Sequence, residues 1–238
     1  MTSILVVDDD TDITANLADI LDEFGYSVQI ANDAESAMER IQSHRFDIAI
    51  LDFKMPSMDG ADLYKEIKRV QSHIVAIMVT AYAGSNGVRR AKDAGTWRVL
   101  RKPVEIQMLT DLIEDARSQP IVLIVDDDRD FCENLGQILR ERDLRVSIAH
   151  DEAAALSQLG TCDFNICLLD LHLGKDMSDN VFRTLKELGQ VASTILVTGK
   201  RDDSGSVIQR MLKDGAAAVH YKPLDLSDLI QSIAMLTN

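Results

Sequence analysis

The segment Ile4-Leu-Val-Val-Asp-Asp-Asp10 and its copy Ile124-Val-Asp-Asp-Asp128 decide how this chain folds. In both segments a short aliphatic run, the pattern of a strand buried on both faces, ends abruptly in three acids. Asp126 lies 118 residues after Asp8 in a chain of 238 residues. This spacing predicts that one folding unit occurs twice, as two domains that cover residues 1–118 and 119–238.

Further polar residues repeat in the same order, each behind another apolar run. They are Asp52, Thr80 and Lys102 in the first half and Asp170, Thr198 and Lys222 in the second. The Asp pair and the Thr pair are again 118 residues apart, whereas the two lysines are 120 residues apart. The second copy is therefore expected to carry a short insertion between its threonine and its lysine.

Amphipathic stretches separate the apolar runs, and their apolar residues recur with the 3.6-residue period of a helix. Five strand–helix pairs in each half predict the α/β class, with two doubly wound domains that are each built on a parallel five-stranded sheet. Ligands of such sheets bind beyond the carboxyl ends of the strands. The repeated acids, threonines and lysines are therefore expected to meet at that edge.

Composition excludes several classes of function. The formal net charge of −14 argues against a nucleic-acid partner, because that binding depends on clustered Lys and Arg. No apolar run approaches the roughly 20 residues of a membrane span, and the early acids leave no room for a secretory leader. The three cysteines are too few and too poorly spaced for a metal site. We expect a cytoplasmic protein without a membrane segment.

Three neighbouring carboxylates repel one another unless one is protonated or a cation neutralises them. An all-oxygen site with few ligands suits Mg²⁺, which binds one or two carboxylates together with phosphate oxygens. A lysine and a threonine can then contact an incoming phosphoryl group, whose transfer depends mainly on positioning and charge. The remaining carboxylate, Asp52, can act as the nucleophile.

Taken together, these motifs resemble receiver domains of two-component response regulators, of the chemotaxis-regulator type, in both halves. The first half carries the resemblance in Ile4–Asp10, Leu51-Asp-Phe-Lys-Met-Pro56 with Asp59-Gly60, Val79-Thr-Ala81 and Arg101-Lys-Pro-Val104. The second half carries it in Ile124–Asp128, Leu168-Leu-Asp170, Val197-Thr-Gly199 and Tyr221-Lys-Pro-Leu224. The resemblance implies that both domains are flavodoxin-like.

The resemblance also implies a role for each repeated residue. Asp52 and Asp170 would be the phosphoacceptors. Each Mg²⁺ would be bound by the acceptor and by three further residues. In the first half, Asp9 would bind it directly, Asp8 through a water molecule and Lys54 through its backbone carbonyl. In the second half, Asp127, Asp126 and His172 would take the same three roles. The phosphoryl group would be contacted and sensed by Thr80, Lys102, Thr198 and Lys222.

The implied function is that of a tandem receiver. It would accept phosphoryl groups from a histidine kinase or a histidine phosphotransfer protein and signal through protein contacts. It would not be an enzyme for an external substrate, although it could catalyse its own phosphotransfer and dephosphorylation. No output domain is expected after the second receiver. Contact between receivers, or a dimer, stays open at this point.

The sequence also departs from the usual receiver pattern. Val99 and Val219 stand where many receivers carry an aromatic switch residue, for which Tyr82 and Tyr221 are candidate substitutes. After the second acceptor the Met-Pro pair is missing. The loop there is expected to be longer and more polar, with Asp179 or Asn180 near the usual glycine.

Two alternative functions stay open, of which the first follows from the altered second loop. In the first, the protein is an adaptor in which the first receiver alone is phosphorylated and the second only docks. In the second, it is a Mg²⁺-dependent phosphohydrolase with an aspartyl nucleophile. Such enzymes usually have a second acid two residues after the nucleophile, where this chain has Lys54 or His172, and this counts against the hydrolase.

Overall fold

The structure is a computed structural model that describes residues 1–81, 85–160, 164–174, 176–199 and 205–237. The chain divides into two compact units, Met1–Gln119 and Pro120–Asn238. Each unit is an α/β domain on one parallel five-stranded sheet, which confirms the predicted fold class. Among the described residues, no helix combines the length and the apolar character that a bilayer crossing requires.

In the first unit, strands and helices alternate along the chain. The elements are β1 (Ser3–Val7), α1 (Thr11–Glu23), β2 (Ser27–Ala31), α2 (Ala34–Ser43), β3 (Ile48–Asp52), α3 (Gly60–Val70), β4 (Val75–Thr80), α4 (Ser85–Asp93), β5 (Arg98–Arg101) and α5 (Ile106–Ser118). The strand order in the sheet is β2-β1-β3-β4-β5, so β1 pairs in parallel with both β2 and β3.

The second unit repeats this arrangement and adds a short hairpin. Its elements are β6 (Ile121–Val125), α6 (Arg129–Arg140), β7 (Arg145–Ala149), α7 (Glu152–Leu159), β8 (Ile166–Asp170), β9 (His172–Leu173), β10 (Asp176–Met177), α8 (Asp179–Glu187), a 3₁₀ turn (Val191–Ser193), β11 (Thr194–Thr198), α9 (Gly205–Lys213), β12 (Ala218–Tyr221) and α10 (Leu226–Thr237). The main sheet has the order β12-β11-β8-β6-β7, and β9 pairs with β10 in antiparallel fashion.

Both faces of each sheet are covered. Along β1, Leu5 and Val7 belong to the core cluster on one face, and Ile4 and Val6 belong to the cluster on the other. Successive side chains of a strand point to opposite faces, so a strand covered by helices on both sides must be apolar at every position. This is why the sequence shows continuous aliphatic runs rather than an alternating pattern.

Several of the acids begin helices. Asp10 caps α1 by accepting hydrogen bonds from the amides of Asp12 and Ile13, and Asp128 caps α6 through the amide of Phe131. A capping carboxylate satisfies amides that have no partner inside the helix, and it contributes about 1 kcal/mol. The third acid of each Asp cluster is therefore structural, which leaves the first two for the site.

Candidate functional site

The first site lies at the carboxyl edge of the first sheet. Asp8 directly follows β1, Asp52 ends β3, Thr80 ends β4 and Lys102 directly follows β5. The Lys102 Nζ lies 2.6 Å from Asp8 Oδ2 and 2.7 Å from Asp52 Oδ1. Asp8, Asp52 and Thr80 are buried, while Asp9 is exposed beside them. The parallel strands thus bring together residues that are 94 positions apart in the chain.

Backbone groups fix the orientation of both buried carboxylates. The amide of Asp10 donates to Asp8 Oδ1 at 3.1 Å, and the amide of Lys54 donates to Asp52 Oδ2 at 2.7 Å. The amide of Lys102 donates to the carbonyl oxygen of Thr80 at 2.9 Å, which ties the lysine to the end of β4. Each of the two acids therefore uses one oxygen for the lysine and the other for the backbone.

The second site has the same framework. The Lys222 Nζ lies 2.6 Å from Asp126 Oδ2 and 2.8 Å from Asp170 Oδ2, and the amide of His172 donates to Asp170 Oδ1 at 3.0 Å. Asp126, Asp170 and Thr198 are buried. The amide of Lys222 donates to the carbonyl oxygen of Thr198 at 2.9 Å. In each half the predicted first acid, acceptor and lysine are therefore in direct contact, and the predicted threonine ends the adjacent strand.

One ammonium serves two buried carboxylates in each site, and the pKa shifts follow from this. Burial raises the pKa of Asp52, against the opposing hydrogen bond and charge of Lys102. Burial alone would lower the pKa of Lys102, but hydrogen bonds and charges from Asp52 and Asp8 together outweigh it and raise that pKa. Burial likewise raises the pKa of Asp126. Both lysines are held charged, because the carboxylates raise the pKa of Lys222 as they raise that of Lys102. Each site nevertheless sets two carboxyl groups against one ammonium, a formal excess of negative charge that burial makes unfavourable.

That excess suits a cation. Asp126, Asp127 and Asp170 each place one ligand oxygen within 4.8 Å of the other two, the only three-residue group of this kind among the residues that the structure describes. Hard carboxylate oxygens in this number fit Mg²⁺, which completes its shell with water and phosphate oxygens. Metal binding by the backbone carbonyls of Lys54 and His172 stays a prediction. The contacts seen between these residues and the acceptors are made by their amides.

By the bounds of the helices, the loop after the second acceptor is longer by one residue, since α3 begins at Gly60, eight residues after Asp52, and α8 begins at Asp179, nine residues after Asp170. The amide of Gly60 donates to the carbonyl oxygen of Phe53, and the amide of Ser178 donates in the same way to Leu171. Ser178 therefore takes the place of the glycine, one residue before Asp179 and two before Asn180, the two positions predicted to lie near it. The two loops also differ in conformation, because the second one forms the β9–β10 hairpin.

The glycine is required in the first loop and not in the second. A Cβ on Gly60 would lie far inside van der Waals contact with the backbone carbonyl oxygen of Asp52 and 2.8 Å from Met78 Sδ. In the second loop, which forms the hairpin, the equivalent Ser178 has a Cβ. Its hydroxyl is fully buried and has no hydrogen-bond partner among the described residues. The backbone behind the acceptor thus approaches α3 more closely than it approaches α8.

Sequence reasoning missed a pair of residues that support each first acid. Asn32 Nδ2 donates to the carbonyl oxygen of Asp8 at 3.2 Å and to Thr14 Oγ1 at 3.1 Å. In the second half, His150 Nδ1 lies 3.1 Å from the carbonyl oxygen of Asp126, to which the Cys132 thiol also donates. His150 lies 118 residues after Asn32, and Cys132 lies 118 residues after Thr14. A comparison of every position with the one 118 residues later would therefore have found both replacements.

Phe131 was also missed. Its ring lies against Lys222, with the Nζ 4.3 Å from the ring centroid. The corresponding residue of the first half is Ile13, which is exposed. An aromatic face attracts an ammonium group, so the second lysine has a third neighbour besides its two carboxylates.

At the two positions of the expected aromatic switch, the structure places valines that are partly buried against the cores. Val99 and Val219 pack in this way, and Tyr221 packs beside Val219. Tyr82, the other candidate substitute, lies outside the described residues. An aromatic role in switching therefore stays a prediction for Tyr82 and Tyr221.

Comparison with known proteins gives matches to both halves. Residues 4–114 and 122–234 each match the response regulator receiver domain. A response regulator receiver protein of Anaeromyxobacter sp. strain Fw109-5 is 29% identical over 236 residues, which is 99% of this chain and 95% of that protein. Sporulation initiation phosphotransferase F of Bacillus subtilis strain 168 is 30% identical over 111 residues, 47% of this chain and 90% of that protein. A solved CheY-like receiver from Methanospirillum hungatei JF-1 is 33% identical, covers 48% of this chain and 92% of that one, and has a TM-score of 0.47.

Proposed function

The chain belongs to the response regulator receiver domain family through both of its halves, and from this premise we propose that it accepts phosphoryl groups on Asp52 and Asp170. The observation that carries the proposal is the same in each half. A buried carboxylate at the end of the third long strand is oriented by the amide two residues later and paired with a lysine from the end of the sheet. A nucleophile needs this combination of fixed direction and charge compensation.

The proposed step is phosphoryl transfer from a phosphohistidine on a kinase or phosphotransfer partner. A carboxylate oxygen of Asp52 forms a bond to phosphorus while the bond from phosphorus to the donor imidazole nitrogen breaks, and that imidazole takes up a proton. In the first half Asp8, Asp9 and Asp52 would hold the Mg²⁺, which would neutralise part of the phosphoryl charge. Asp126, Asp127 and Asp170 would hold it in the second half.

The lysine has to change partners in this step. Lys102 now bridges Asp8 and Asp52, and phosphorylation removes the negative charge from the Asp52 oxygen that reacts. The ammonium can then pair with a phosphoryl oxygen, which carries more charge and forms strong charge-assisted hydrogen bonds. Thr80 lies at the end of the adjacent strand, where its hydroxyl can donate to the same group. A new charge at a strand edge can in this way shift a protein-binding surface.

The partners follow from the family. We propose a histidine kinase or a histidine phosphotransfer protein as the donor and a protein as the downstream target. Autodephosphorylation belongs to this proposal, and so does the absence of an external substrate. Receiver–receiver contact, dimerisation and a cytoplasmic location stay predictions.

The test counts phosphoryl groups on the intact protein. The wild type and the variants Asp52→Asn, Asp170→Asn and the double variant are incubated with phosphoramidate and Mg²⁺ and then weighed by mass spectrometry. We expect up to two phosphoryl groups on the wild type, one on each single variant and none on the double variant. Equal labelling of the double variant and the wild type would show that the acceptors are wrongly assigned.

The adaptor alternative has one structural observation in its favour, the different loop after Asp170. A beryllofluoride titration followed by amide NMR separates it from the tandem receiver. The amides of Lys54 and His172 donate to the two acceptors and are therefore local probes of each site. Response of both amides supports two active receivers. Response of Lys54 alone supports an adaptor.

A further inference from the structure

The hairpin after the second acceptor contacts the second metal-binding acid. Gly174 follows β9 at the turn of the hairpin, and its amide donates to Asp127 Oδ2 at 3.1 Å. Its φ of +67° is in the left-handed region, which glycine adopts without steric cost. The hydrogen bond joins residues that are 47 positions apart, so it connects the loop after β8 to the loop after β6.

The first half cannot make this bond. In both loops the amide eight residues after the acceptor donates to the carbonyl oxygen one residue after the acceptor, so Gly174 and Pro56, each four residues after its acceptor, correspond. Proline has no amide hydrogen and cannot donate to Asp9. The difference is therefore in the chemistry of the chain itself and does not depend on how a side chain is placed.

The bond has a consequence for the exposed acid. An exposed aspartate samples several side-chain conformations, and each immobilised side chain costs a binding event part of its free energy. The Gly174 amide fixes Asp127 through one oxygen and leaves the other oxygen for a ligand. Asp127 is also the acid that completes the group of three carboxylates in the second half.

We propose that the Gly174 amide is a positioning group that holds Asp127 ready for a divalent cation, so that the second half binds Mg²⁺ more tightly than the first. This inference rests on the proposed Mg²⁺-dependent phosphoacceptor sites and adds an asymmetry between them. The expected difference is a factor of roughly two to ten in Kd, the effect of one side chain that is ordered before binding. When Mg²⁺ is limiting, the second receiver therefore binds Mg²⁺ first and is the first to become competent for phosphorylation.

The test is an Mg²⁺ titration of the full chain by amide NMR, in which the Lys54 and His172 resonances report the two sites separately. Three variants change the second loop. Gly174→Pro removes the amide donor, and Gly174→Ala keeps the donor while it carries the cost of a positive φ. The third exchanges residues 173–178 for residues 55–60, which leaves the chain length unchanged and brings in the glycine that the first loop requires. The amide spectrum of each variant shows whether the second half is folded.

We expect the His172 resonance of the wild type to titrate at a lower Mg²⁺ concentration than that of Lys54. Gly174→Pro and the loop exchange should raise its midpoint to that of the first half, and Gly174→Ala should stay near the wild type. Equal midpoints in the wild type, or equal losses in Gly174→Pro and Gly174→Ala, would overturn the inference and leave the proposed function standing. If neither resonance responds to Mg²⁺, the proposed function fails as well.

Discussion

Replacement of Lys102 by methionine should destabilise the first domain by about 3 kcal/mol. The ammonium is 2.6 and 2.7 Å from two carboxylates, and the three side chains are 22%, 7% and 6% exposed. At an effective dielectric constant of about 20, each contact provides roughly 6 kcal/mol of gross attraction, most of which desolvation offsets. Removal of one partner of a buried pair costs about 3–5 kcal/mol, and we take the lower end because the lysine is partly open to solvent.

The urea unfolding of the first domain can be followed separately by tryptophan fluorescence, because Trp97, the single tryptophan of the chain, packs against the core of that domain. Lys65→Met is the matched control, since Lys65 forms an exposed ion pair with Asp62 and should cost less than about 1 kcal/mol. Mg²⁺ should raise the free energy of unfolding of Lys102→Met more than that of the wild type, because the cation takes the place of the missing ammonium.

The pH dependence of this variant follows from the raised pKa of Lys102. The stability that the lysine contributes is fully present below its ordinary pKa of 10.5 and is lost as pH rises through the higher folded value. The wild type and Lys102→Met should therefore converge only in strong alkali. At the acid end, burial raises the pKa of Asp52, so its protonation should restore part of the loss as pH falls. A loss below about 1 kcal/mol that is insensitive to both Mg²⁺ and pH would refute the reasoning.

Three further predictions concern single positions. Gly60→Ser should destabilise the first domain by about 3 kcal/mol in Trp-monitored urea unfolding, because its Cβ overlaps the Asp52 carbonyl; full stability would contradict the described backbone approach. Phe131→Ile should cost about 0.5–1 kcal/mol in urea unfolding followed by circular dichroism, because Lys222 loses its aromatic neighbour, and no change would show that the ring contributes nothing. Burial raises the pKa of Cys167 to about 12, so iodoacetamide at pH 8 should leave its peptide unmodified in the native protein and modify it in urea.

The framework of each domain could be predicted from the sequence because buried parallel strands have a distinct pattern. The runs before Asp8 and Asp52 are continuous and apolar, and the rule that such strands share an edge places their acids together. The close pairing with Lys102 follows from the same rule. The placement of the acids depends on the regular elements alone.

The differences between the two sites could not be predicted in the same way. The strands of the β9–β10 hairpin have two residues each, too few to show a period. The contact of Phe131 with Lys222 depends on side-chain rotamers, and the hydrogen bond from Gly174 depends on a loop conformation. None of these has a sequence pattern of its own. The substitution of Pro56 by Gly174 was visible, but its meaning required the position of Asp127.

The close approach behind the first acceptor also constrains how the two halves could have diverged from a duplicated ancestor. With the first loop in place, a change from glycine to serine at position 60 meets the Asp52 backbone, so selection would remove it. With the hairpin in place, the serine at position 178 is accommodated, and its return to glycine meets no such barrier. A lineage that passed from glycine to serine therefore had to remodel the loop first. In such a lineage one backbone contact would set the order of the two changes.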